Sequence, residues 1–170
     1  MWKRLALAAL LLTGTGFTTR GDQPVTAELV TEHASIQPGG TTRVGVHFEI
    51  EEGWHIYADP PGDAGLPTTI TWIVPSGVLI DSVQWPTPQL FVDPGDIKTS
   101  GYSGVVVPYS TLELPNPAFE GRAIAIRAQV SWLACHEVCV PGNTELSLTL
   151  PVNVTPPVLS THAEFFDHTN

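Results

Sequence analysis

Basic residues are scarce in this chain: seven Lys and Arg stand against 17 Asp and Glu, and only Arg43, Lys98, Arg122 and Arg127 lie beyond residue 21. So acidic a chain has no counterion-releasing face for a phosphate backbone and is repelled by anionic lipid, which argues against nucleic acid and anionic membrane as partners. Methionine occurs once, at position 1. Cysteine occurs twice, at 135 and 139, so sulfur chemistry rests on one closely spaced pair. No apolar run reaches the roughly 20 residues that span a bilayer, and no period of 20 to 50 residues repeats.

What is present begins with an export signal. Lys3 and Arg4 precede an apolar run from Leu5 to Leu12 and then small residues from Thr13 to Gly16. A positive start, a short apolar core and a loosened end are the layout of a secretory signal peptide. The alternative is an uncleaved N-terminal anchor. The expected division is a signal over 1–21, one domain over 22–154 and a flexible tail over 155–170. Without the signal, the four basic residues against 17 acidic ones give a net charge of −13. About 150 residues suit one domain with a sizeable core.

Prolines (16) and glycines (15) are spread throughout and leave almost no window for a capped helix. Residues 44–50 alternate apolar and other residues, the period of a half-buried strand. Residues 69–74 are β-branched and aromatic and end at Pro75-Ser76-Gly77. Residues 105–107, 123–130 and 146–150 read the same way. Many short strands punctuated by turns predict an all-β, antiparallel, immunoglobulin-like sandwich. Two stretches read as long loops, 59–67 and 91–102, the first because prolines remove ladder donors. Asp59 and Asp63 there read as turn residues. The tryptophans after Trp2 read as core anchors.

The chemistry concentrates in Cys135-His136-Glu137-Val138-Cys139. In an oxidising compartment such a pair tends to form a disulfide. Three intervening residues allow a tight hairpin end to bring the α-carbons together. A ring so small stabilises little through chain entropy, which favours a reversible redox pair over a staple. Residues 130–134 read as a strand entering the motif and 140–143 as a turn leaving it, which puts the sulfurs near a sheet end. A protonated His136 would favour thiolate and Glu137 would oppose it. In an exposed turn, His136 is equally readable as a solvated polar residue. Trp132 could shield the sulfurs, although a core role is the simpler reading.

Two other readings compete. A Cys-x-x-x-Cys loop with an interior Glu is similar to the copper loop of cupredoxin-like domains, with His136 as a third ligand. Such loops supply a His or Met soon after the second cysteine, where this chain has Val140, Pro141, Gly142 and Asn143. The other reading is a non-catalytic binding sandwich with a local disulfide. His33, His47, His55, His162 and His168 lack metal-ligand spacing, and no hydrolase triad stands out.

A set of ordered motifs then becomes specific. They are Gly53-Trp54-His55-Ile56-Tyr57, Pro61-Gly62-Asp63-Ala64-Gly65-Leu66-Pro67, Trp72, Gln84-Trp85-Pro86, Gly101-Tyr102-Ser103-Gly104 with Val107-Pro108, and Trp132 through Pro141. Over residues 25–152 the chain resembles the N-terminal domain family of the thiol:disulfide interchange protein DsbD, the disulfide bond corrector family. The resemblance implies an immunoglobulin-like periplasmic domain that relays electrons through a Cys135/Cys139 dithiol–disulfide pair, with no metal or organic cofactor. It implies that Cys139 forms the mixed disulfide and that Tyr57 lies beside the site. It also implies an aromatic cap over the cysteines, for which Phe91 and Tyr102 are the candidates. Implied partners are periplasmic thioredoxin-like proteins and a membrane-embedded reductant, with the domain itself a monomer. Two departures stand out: the best-studied member spaces its cysteines more widely, and its membrane and thioredoxin-like domains have no counterpart here. An electron source outside the chain is therefore expected.

Overall fold

The computed structural model describes residues 23–93, 95–115 and 122–167; the expected signal peptide lies outside them. Eleven strands are described: β1 Val25–Thr31, β2 Thr41–Ile50, β3 His55–Gly62, β4 Thr69–Ile73, β5 Leu79–Ile80, β6 Gln89–Asp93, β7 Ile97–Tyr102, β8 Val105–Val106, β9 Tyr109–Glu113, β10 Ala123–Cys135 and β11 Cys139–Pro151. All named pairings are antiparallel. One sheet runs β1-β2-β9-β5, with β8 also on β2; the other runs β11-β10-β3-β7-β6, with β4 also on β10. The two form the expected immunoglobulin-like sandwich.

Alternation dictates which residues meet in the middle. Along β10, Ile124, Ile126, Ala128, Val130, Trp132 and Ala134 are buried, while their neighbours from Ala123 to Ser131 are exposed. From the opposite sheet, Val44, Val46 and Phe48 are fully buried. One end of the core groups Phe48, Ile56, Ala58, Tyr102, Val130 and Trp132. The other groups Ile36, Leu112, Leu114, Ile124, Ile126 and Leu150.

Three sequence expectations are corrected. Residues 59–62 are the end of β3 rather than loop. Pro60 and Pro61 fit because the β3–β7 register is interrupted between Tyr57 and Gly62, so no ladder bond depends on their missing N–H groups. Residues 91–102 are largely the β6–β7 hairpin, closed by the Asp93–Ile97 pair. Gly95 and Asp96 turn it with φ of 93° and 60°, the left-handed values that a tight hairpin turn requires. Residues 140–143 are not a departing turn but part of β11, paired with 131–134. Pro141 is tolerated because β11 ends its sheet. Gly142 is needed because the Trp132 indole lies against it: a Cβ there would sit 2.4 Å from the ring.

The C-terminal segment is a fourth correction. Residues 159–167, expected to be frayed, fold back onto β1 and β2. Leu159 bridges to His33, and a 3-10 turn over Ala163–Phe166 buries Phe166 to 1% exposure against Val30 and Val107. Arg43 on β2 secures it, donating to the Phe166 carbonyl at 2.6 Å and lying over the Phe166 and Tyr109 rings. The same guanidinium forks onto Glu32, at 2.7 and 3.0 Å. This hydrogen bonding holds the Glu32 carboxyl below its ordinary pKa and raises that of Arg43.

Candidate functional site

β10 and β11 form one long hairpin, and its last pair is Cys135 opposite Cys139. The two are joined by a disulfide, with α-carbons 4.1 Å apart. His136, Glu137 and Val138 make the three-residue turn between them, where the His136 N–H donates to the Val138 carbonyl at 3.1 Å. All three are exposed, Val138 to 64%. The sulfur-bearing residues differ sharply. Cys135 is 3% exposed, whereas Cys139, on the edge strand, is open to solvent.

Burial of Cys135 comes from the other side of β10. There His55, the first residue of β3, stands directly opposite it. Because strand residues alternate faces, His55 and Tyr57 share the Cys135 face, while Ile56 and Ala58 enter the core. The His55 ring is stacked on Phe91 at 4.4 Å and meets Tyr57 edge-on at 5.0 Å. Tyr57 is 4% exposed and closed over by the Pro/Gly loop after β3. Gly65 has φ of 103°, and a Cβ there would come 2.4 Å from the Tyr57 ring, so only glycine lets the loop cross so closely. Asp63 serves the same loop, accepting the Lys98 N–H at 2.9 Å. The His136 ring lies against Gly53 and 5.9 Å from the Trp54 ring.

The residues expected around the cysteines therefore divide. His136 and Glu137 are in the turn, and Tyr57 and Phe91 belong to the aromatic cluster behind Cys135. Tyr102 and Trp132 do not join them. Tyr102 pairs with Ile56 and points to the core, stacked on Trp85 at 5.5 Å, with its hydroxyl donating to the Pro86 carbonyl at 3.1 Å. That burial raises the Tyr102 pKa. Trp132 lies an odd number of residues from Cys135, hence on the opposite face, packed edge-on to Phe48 at 5.9 Å. Between the two proposed caps, only Phe91 is on the cysteine side. His55 was missed as a site residue. Its register with Cys135 depends on a strand pairing across 80 residues of sequence, which no local pattern reveals. Among the described residues, no three His, Cys, Asp or Glu side chains cluster as metal ligands.

A sandwich with a solvent-reachable disulfide at a hairpin end, backed by aromatic rings, defines a class of β-sandwich thiol–disulfide domain. The family comparison makes this particular. The chain belongs to the family of the thiol:disulfide interchange protein DsbD, N-terminal, whose family model matches residues 23–151. Among solved structures it is similar to the N-terminal periplasmic domain of ScsB from Proteus mirabilis, with 20% identity and a TM-score of 0.56. That match covers 85% of this chain and 52% of the other, so the chain spans about half the ScsB structure's length. A second similarity is to the Neisseria meningitidis DsbD N-terminal domain in the reduced form, at 18% identity and TM-score 0.43, over 77% and 89% of the two chains. A third is to the complex between the DsbD and PilB N-terminal domains from the same organism, at 16% identity and TM-score 0.40, over 70% and 80%. A search of curated protein sequences finds no match.

Proposed function

We propose that the chain is a periplasmic thiol:disulfide interchange domain that passes electrons between partner proteins through Cys135 and Cys139, with Cys139 as the point of contact. The observation that carries this reading is the asymmetry of the pair: one sulfur-bearing residue is exposed at a hairpin tip, the other 3% exposed against His55. A partner thiolate attacks the Cys139 Sγ, the S–S electron pair leaves on Cys135, and a mixed disulfide forms. The partner's second thiol then attacks its own sulfur in that bond and releases Cys139 as thiolate. Each released thiolate takes a proton; the domain is reduced by two electrons and the partner oxidised to a disulfide. Onward transfer runs the same steps in reverse.

Partners of the thioredoxin-like class fit this geometry, because an exchange partner must bring its own cysteine onto the hairpin tip. Val138 on the tip is 64% exposed, an apolar side chain that a protein partner can cover. In this reading, drawn from the family resemblance, a membrane-embedded reductant is the electron source that reloads the Cys135–Cys139 pair.

The reduction potential tests the proposal. Equilibrated in dithiothreitol or glutathione buffers, the Cys135–Cys139 couple is expected above about −300 mV, the range of exchange-active bonds. A value far below that limit would make the bond a structural staple.

A further inference from the structure

We infer that His55 is a positioning residue for the exchange, an imidazole N–H donor that supports Cys135 as a thiolate when the disulfide opens. The inference rests on the proposed exchange reaction and adds a residue to it. Attack at Cys139 expels Cys135, and the S–S electron pair must settle on a sulfur attached to a residue only 3% exposed. Water cannot solvate that charge fully, and an apolar surround would raise the thiol pKa and make Cys135 a poor leaving group. A hydrogen-bond donor to the charged form reverses the effect.

Register identifies the donor. His55 is the direct cross-strand neighbour of Cys135, and side chains so paired have Cβ atoms about 5 Å apart. The imidazole is itself 5% exposed and held by rings on two sides, Phe91 stacked at 4.4 Å and Tyr57 edge-on at 5.0 Å. A neutral imidazole always carries one N–H, so the support requires no protonation of the ring. This also gives Phe91 and Tyr57 a purpose: they fix the orientation of the ring that serves the sulfur. His136 is the histidine nearest Cys135 in sequence, but it is exposed and packed against Gly53 and Trp54. The other ionisable groups on the elements around Cys135 are Glu137 in the turn, Tyr57 and Asp59 on β3, Glu51 and Glu52 ahead of it, Tyr102 on β7, and the Arg127–Glu145 pair further down the β10–β11 hairpin. Asp93 ends β6, and Lys98 and Asp63 lie at the far end of the β3–β7 pairing.

The test is a thiolate titration in the full chain carrying Cys139→Ser, which leaves Cys135 as the sole thiol. Ultraviolet thiolate absorbance against pH gives the Cys135 pKa directly. Adding His55→Phe is expected to raise it by about one unit or more, tenfold less thiolate at a given pH. His55→Gln, which keeps an N–H donor, should restore most of the difference, and His136→Ala should leave the pKa in place. An unchanged pKa in His55→Phe, an equal rise in His55→Gln, or the same rise in His136→Ala would each overturn the assignment. Should His55→Phe not fold, the ring ¹⁵N shifts of His55 in the wild-type chain decide. They should change between oxidised and reduced protein, and unchanged shifts reject the role. The titration needs no exchange partner, so its failure is separable from failure of the exchange reading itself.

Discussion

Replacing Cys139 with Ala should remove thiol–disulfide exchange almost completely, by at least about 100-fold, while the sandwich stays folded. The chemistry requires two sulfurs: one to take the partner and one to leave and later resolve the mixed disulfide. With Cys139 gone, the remaining thiol is on Cys135, 3% exposed, and has no second sulfur to resolve it. Stability should suffer much less. The bond closes a ring of only a few residues, worth about 2 kcal/mol or less by loop-closure entropy. The fold is held elsewhere, by the inward residues of β10 against Val44, Val46 and Phe48. Insulin or thioredoxin-fold substrates, assayed with purified protein and dithiol, measure the exchange; a thermal melt measures the fold. Wild-type exchange by this variant would exclude the Cys135–Cys139 couple as the reacting group.

Phe166→Ala should be among the most damaging substitutions outside the core strands, although it lies beyond the family match at 23–151. Its ring is 1% exposed, packed with Val30 and Val107, edge-on to Tyr109 and beneath Arg43. Truncating a fully buried phenylalanine costs about 3–5 kcal/mol through lost transfer energy and the cavity left behind. The neighbouring contacts depend on the same turn: Phe165 stacks on His47 at 4.5 Å, and Arg43 donates to the Phe166 carbonyl. In a domain of this size such a loss lowers the melting temperature by about 10 °C. A melt within a degree or two of wild type would show that the C-terminal turn contributes little.

The legibility of the fold followed the period of each strand. β2 and β10 alternate apolar and other residues over five or more positions, β4 is β-branched and aromatic, and their positions could be read directly. β3, β6, β7 and the start of β11 could not, because their punctuation resembles that of loops. Pro60-Pro61 lies where pairing lapses, Gly95-Asp96 is a tight hairpin turn, and Pro141-Gly142 lies on an edge strand. Each is a place where the sheet tolerates a missing donor or side chain, which composition alone cannot distinguish from a break. The C-terminal turn was hidden for another reason: Phe165-Phe166 gains its place from Arg43 and Val30, more than 120 residues away.

The site was legible to the same degree. Cys135 and Cys139 announce themselves by spacing and by the motifs around them, and Tyr57 by resemblance. Face is what sequence left ambiguous. Tyr102 and Trp132 are aromatic and lie within the motifs, yet alternation turns both into the core, whereas Phe91 lies on the cysteine side and stacks on His55. Equally, His136 is the neighbour in sequence and His55 the neighbour across the sheet.

The most direct test of the account is to hold the exchange at its midpoint. Cys135→Ala leaves Cys139 exposed with no internal sulfur to release a bound partner. Expressed as the full chain and directed to the periplasm, then quenched by acid and thiol alkylation, this variant is expected to yield dithiothreitol-sensitive adducts containing thioredoxin-like proteins, absent from a Cys139→Ala control. No adduct, or the same adducts from both variants, would contradict Cys139 as the contact through which electrons pass.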